Sequence, residues 1–151
     1  MQPDELNNPP FSVLDEQNSL VEEFSFFSDW TERYEYLIDL GRKLSEFPEE
    51  YRRDEFKLKG CQSQVWLIGK VVGDRLIFQA SSDAAIVSGL IALLLRIYSN
   101  RTPEEILAAD LKFLDEIGLD THLSSTRKNG LNSMVEAILN WARTELQKKH
   151  N

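Results

Sequence analysis

The chain has 151 residues, 42% of them hydrophobic and 28% charged, the balance of a folded globular protein with one core. Its 17 Lys and Arg are outnumbered by 25 Asp and Glu, a formal net charge of -8, so polyanions are repelled at long range and nucleic acid is not expected as a partner. The single cysteine allows no intramolecular disulfide, which fits a reducing compartment.

Residues 1–10, "MQPDELNNPP", are acidic and polar, with Asn and Pro that resist regular structure. They read as a flexible tail ahead of a single domain over 11–150. They lack the basic and apolar regions of a secretory leader. The longest apolar run, "AAIVSGLIALLLRIY", is interrupted by Ser88 and Arg96 and falls short of the roughly 20 apolar residues a membrane span needs. No membrane partner is expected, and the setting expected is cytoplasmic.

A first helix is expected from Val13 to Phe27, with Ser12 as its N-cap and Asp15 and Glu16 near its positive end. Ser28 or Asp29 caps a second, in which Trp30, Tyr34, Leu37, Ile38 and Gly41 share a face. Pro48 marks its exit, and the charged stretch 49–59 reads as a surface segment. "QVWLIGKVV" and "RLIFQAS" are strands flanking Gly73-Asp74, a two-residue turn that suits a type II′ hairpin. A lone hairpin is marginally stable, so helices or a third strand must cover it, and "FKLK" (56–59) could supply that strand.

Ser81, Ser82 and Asp83 form a polar cluster able to cap the next helix, Ala84–Ser99, which is apolar on nearly all sides and so belongs in the middle of the core. Gly89 inside it costs about 1 kcal/mol against alanine, which a close packing neighbour would explain. Thr102-Pro103-Glu104-Glu105 is a helix start, and Gly118 ends the two short helical turns that follow. The last helix is expected over Ser125–Lys148, its core stripe made by Leu131, Met134, Val135, Ile138, Leu139, Ala142 and Leu146. The class is α+β: a small antiparallel sheet of about three strands with helices mainly on one face.

Phosphate-cradling and dinucleotide-binding glycine loops are absent. Cys61, His122 and His150 fall short of the four ligands of a structural zinc site, and one thiol is a poor holder for an iron–sulfur cluster. No metal or cofactor is expected. What remains is the thiol as a reagent. A thiolate can attack a sulfur–sulfur bond and carry one sulfur away as a persulfide. A second thiol nearby would close a disulfide and release that sulfur, so a solitary cysteine suits a carrier.

Most free cysteines are small buried hydrophobes. The polar neighbours Gln62, Ser63 and Gln64 argue against that here, and Gly60 frees the backbone for a tight turn that would put Cys61 at a loop tip. Lys57 and Lys59 would lower its pKa if they faced it. Other candidates have simpler readings. Trp66 reads as core and Asp83 as a helix cap. Arg127 opposes the dipole of the last helix, a mild reason to seek a partner for it. His122 could serve as a general base for a thiol hydrolase with Cys61 and Asp120, though no motif supports the pairing. A third reading is an interaction module in which Cys61 is incidental.

"GCQSQVW", "SDAAIVSGLIALLLRIYS", "TPEEIL" and "HLSSTRKNGLNSMVEAI", in this order from about Phe27 to Ala142, resemble the SufE family of sulfur acceptors for cysteine desulfurases. The resemblance implies a three-stranded sheet with flanking helices, shared with IscU-type scaffolds. It implies Cys61 as the persulfide acceptor on a loop tip, tucked toward an apolar cavity at rest. Shielding a persulfide inside and swinging it out for transfer needs a movable loop, for which Gly60 is the expected hinge. Gln62 and Gln64 flank the thiol in the motif, and Asp83 and Arg127 fall where relatives engage their partner. The implied donor is a SufS-type cysteine desulfurase, which holds the pyridoxal phosphate, and the implied recipient is an iron–sulfur scaffold complex. The chain is then an accessory carrier and not an enzyme. Ser125 stands where many relatives have proline, and no fused second domain follows, so a stand-alone acceptor is expected.

Overall fold

The structure is a computed structural model and describes residues 12–150. The tail expected over 1–10 lies outside the described residues. Helix α1 (Val13–Ser25) starts at Ser12, whose side chain accepts the Asp15 N–H, and α2 (Trp30–Arg42) starts at Asp29, which accepts the Glu32 N–H. These oxygens satisfy amides that have no partner within the helix. Two single 3₁₀ turns, Glu49–Tyr51 and Asp54–Phe56, carry the chain to the sheet. Strands β1 (Val65–Val72) and β2 (Arg75–Ser82) form an antiparallel hairpin in which Val72 pairs with Arg75. The turn between them has a positive φ at Gly73 and not at Asp74, as a type II′ turn requires.

The expected third strand reduces to a bridge between Lys57 and Trp66, so the sheet has two strands. The reason is local: Lys57 follows the second 3₁₀ turn directly, and the chain turns away again by Gly60 at φ +86°. Only one residue is extended long enough to pair. A matching bridge, Leu76 with Arg101, covers the other edge.

Helix α3 (Ala85–Tyr98) is the centre of the core, with Leu90, Ile91, Leu93, Leu94 and Ile97 all buried. It crosses α2 where two glycines meet: a Cβ on Gly89 would stand 2.3 Å from the Leu37 carbonyl oxygen, and one on Gly41 2.6 Å from the Gly89 nitrogen. The close neighbour expected for Gly89 is therefore the backbone of α2. Then come α4 (Pro103–Ala108), which opens on a capping box between Thr102 and Glu105, α5 (Lys112–Ile117), α6 (Leu119–His122) and the long α7 (Ser125–His150). Gly118, at φ +93°, ends α5 in the left-handed conformation.

Alternation along the hairpin sends Val65, Leu67, Phe78 and Ala80 to the face that meets Ile91, Met134 and Ile138 of α3 and α7. Helices thus cover one face, as expected. Near the start of β1 the other face meets the irregular segment, with Arg52 stacked 5.3 Å from the Trp66 ring. Of the expected α7 stripe, Leu131, Met134, Ile138 and Ala142 are buried, and Val135, Leu139 and Leu146 are half-buried.

Candidate functional site

Between the Lys57 bridge and β1 the chain makes a short loop with Gly60 and Cys61 at its tip. Its base is held on two sides. The Leu58 N–H donates to the Val65 carbonyl (2.9 Å), and the Gln64 N–H donates to Asp83 Oδ1 (3.0 Å). Asp83 therefore does not cap α3, as its position suggested. The strand ladder continues one step past Ser82, so the carboxylate faces Gln64, and the helix begins at Ala84 without a side-chain cap.

The tip leans on α7. Gly60 adopts φ +86°, and a Cβ there would stand 2.8 Å from Ser133 Oγ, so both backbone and space favour glycine. The Cys61 thiol, partly buried, donates a long 3.7 Å hydrogen bond to the Gly130 carbonyl. It borders a cavity of about 330 Å³ floored by Val87, Leu90, Leu131 and Met134, with Gln62, Ser63, Ser124, Thr126 and Arg127 toward its rim. Burial pushes the thiol pKa up from its ordinary value. Lys57 Nζ stands 3.8 Å from Asp54 Oδ1, and burial sets the direction of the thiol's shift. At rest the thiol is protonated and a weak nucleophile.

The structure thus gathers Cys61, Gln62 and Arg127 around one cavity, sets Gly60 against Ser133 of α7, and places Gln64 and Asp83 at the loop base. It takes His122 elsewhere. The His122 ring stacks on Trp30 at 3.7 Å, its Nδ1 lies 3.0 Å from the Gly118 carbonyl, and the Tyr34 hydroxyl donates to its backbone carbonyl. Asp120 faces Lys128 at 3.8 Å. Neither His122 nor Asp120 lines the cavity beside Cys61. Among the described residues no cluster of His, Cys, Asp and Glu could hold a metal ion, and no helix is long and apolar enough to cross a membrane.

Sequence reasoning placed Arg127 of α7 at the site but did not single out Gly130 and Ser133 beside the thiol loop. One signal was present: a glycine in the interior of a helix costs about 1 kcal/mol against alanine and so hints at a close approach. A Cβ on Gly130 would lie 3.8 Å from Cys61 Sγ, an ordinary contact, so the approach is near without demanding glycine.

Residues 18–142 match the family model described as SufE, Fe-S metabolism associated domain. Uncharacterised SufE-like proteins of Rhizobium meliloti (strain 1021) and Rhizobium etli are each 44% identical over 126 residues. That is 80% of this chain and 90% and 85% of theirs. The solution structure of a hypothetical protein from Thermus thermophilus shares the fold, with a TM-score of 0.72 at 19% identity over 87% of this chain and 96% of that one. With the family model spanning most of its length and close relatives bearing the same name, the chain belongs to the SufE family and to iron–sulfur metabolism.

Proposed function

We propose that the protein is a sulfur acceptor in iron–sulfur cluster assembly. Cys61 takes persulfide sulfur from a SufS-type cysteine desulfurase, stimulates that enzyme by emptying it, and passes the sulfur to a scaffold complex. The observation that carries the reading is the chain's only thiol, set on a loop tip, held at its base and resting over a cavity large enough to shelter one more sulfur. The chemistry is an exchange. The Cys61 thiolate attacks the outer sulfur of the donor's persulfide, the donor S–S bond breaks, the donor leaves as a thiolate, and Cys61 becomes Cys–S–SH. No oxidant or reductant is consumed.

In this reading Gly60 is the hinge that lets the tip leave α7 and enter the donor's site, while Gln62, Gln64, Asp83 and Arg127 meet the partner. Pyridoxal phosphate stays on the desulfurase, the protein is an accessory carrier and not an enzyme, and its setting is cytoplasmic. The test is the mass of the intact protein after incubation with desulfurase and L-cysteine. Wild type should gain one sulfur atom, and Cys61→Ser should gain none while keeping its fold. Desulfurase stimulation that survives Cys61→Ala would reject the carrier in favour of an interaction module. A thiol hydrolase draws no support from the site, since the imidazole it needs is stacked on Trp30.

A further inference from the structure

The cavity beside Cys61 is larger than its proposed cargo. A volume of about 330 Å³ holds about ten waters' worth of space at roughly 30 Å³ each, whereas a persulfide adds a single atom. It reaches the lower end of the range for small-molecule sites, about 300–1,000 Å³. Its lining is divided in the way such sites are, with Val87, Leu90 and Met134 on one side and hydroxyls of Ser63 and Ser124 on the other. Its charge is more telling. Acids outnumber bases by 25 to 17 in the chain, yet among the described residues Arg127 is the only charged side chain lining this cavity, and no Asp or Glu does. A small anion with a short apolar body fits that combination.

We propose that the cavity binds a small carboxylate-bearing thiol or its persulfide, and that Cys61 exchanges sulfur with it directly. The inference rests on the persulfide-carrier reading and widens its donors and acceptors. The carboxylate meets the Arg127 guanidinium, the short chain lies along Val87 and Leu90, and the sulfur end reaches Cys61. In the loading direction Cys61–SH and R–S–SH give Cys61–S–SH and R–SH. Cys61 sulfur bonds to the outer sulfur, the R–S–S bond breaks, and the Cys61 proton ends on the departing thiolate. The reverse exchange discharges the carrier onto the small thiol.

The test uses the full chain without desulfurase and two probes, the persulfides of 3-mercaptopropionate and of 2-mercaptoethanol, which differ in the carboxylate. Intact mass follows the sulfur gained on Cys61. The charged probe should load faster by about tenfold, equivalent to about 1.4 kcal/mol, with a rate that saturates in probe concentration. Arg127→Gln should abolish the difference between the probes. Equal rates that rise linearly overturn the inference. If the same protein still loads from desulfurase and cysteine, the carrier reading stands without it. A saturable preference for the charged probe with no loading from desulfurase keeps the small ligand and removes the protein donor.

Discussion

Replacing Gly60 by alanine asks whether the resting loop is held by backbone geometry. At φ +86° an L-residue pays about 1–2 kcal/mol that glycine does not. The added Cβ also meets Ser133 Oγ at 2.8 Å, but that oxygen ends a side chain that can rotate away, so strain is the larger cost. The structure shows where the strain goes. The loop base is fixed by the Leu58–Val65 and Gln64–Asp83 hydrogen bonds, while the tip holds to α7 through a 3.7 Å sulfur contact. The tip should yield first. A strain of that size raises the released population about 5–30-fold, and alkylation of Cys61 by iodoacetamide should accelerate by the same factor. With one thiol in the chain, the rate has a single source. The double variant with Ser133→Ala should retain the acceleration, which separates strain from crowding. Were the strain to spread through the fold, each kcal/mol would lower the melting temperature by about 2–4 °C. Melting that falls so far with alkylation unchanged would refute the account of a loosely held tip on a fixed base.

In wild type, the alkylation rate of Cys61 should inflect at higher pH than in the urea-unfolded chain, because burial raises its pKa; Gly60→Ala should move the inflection down, and a folded inflection at or below the unfolded one would contradict the buried resting state. Gly89→Ala forces a Cβ to within 2.3 Å of a backbone oxygen and should cost about 3 kcal/mol, a melting drop of about 6–12 °C, which calorimetry reads. Glu23 accepts two hydrogen bonds from Arg96, which hold its carboxyl below 4.5 against the opposing effect of burial. A depressed carboxylate stabilises the fold above its unfolded pKa and stops doing so as pH falls through the lowered one. Glu23→Gln should therefore cost about 1.5–3 kcal/mol near neutral pH and progressively less as pH falls below 4.5; urea midpoints showing an equal loss at both ends would reject the pairing as its source.

What was legible in the sequence was what local chemistry decides. Ser12, Asp29 and Thr102 announce helix starts because a capping oxygen acts within three residues. Gly73 and Gly118 announce turns because their φ values suit glycine. Gly89 announced a close neighbour but could not name Leu37, which is far off in the chain. The failures share that cause. Asp83 reads as a cap from its neighbours, yet its oxygen goes to Gln64, a partner 19 residues away. Lys57 looks poised beside the thiol in sequence, yet its Nζ stands 3.8 Å from Asp54 Oδ1. The cavity was implied by the family resemblance alone, and its size and lining could not be read from the residues. It is made by the loop, α3 and the first turns of α7 together, and no one segment records its size.

The raised pKa of Cys61 looks at first like a defect in a nucleophile. If the proposed carrier role holds, the thiol must stay inert between partners, since a thiolate held in the open would react with any electrophile or oxidant it met. In that reading, partial burial over an apolar floor keeps the proton on and limits what reaches the sulfur to molecules that fit the cavity. Activation then has to come from outside. A donor that draws the tip from α7 restores solvation and can add its own positive charge, so the act of docking would make the nucleophile. On the proposed function, the resting geometry would favour the partner, because drawing the tip out of its burial makes the thiol easier to ionise. On this proposal Gly60 and the weak Cys61–Gly130 contact would set how easily that release occurs, which is why the alkylation rate of a single variant bears on the proposed cycle.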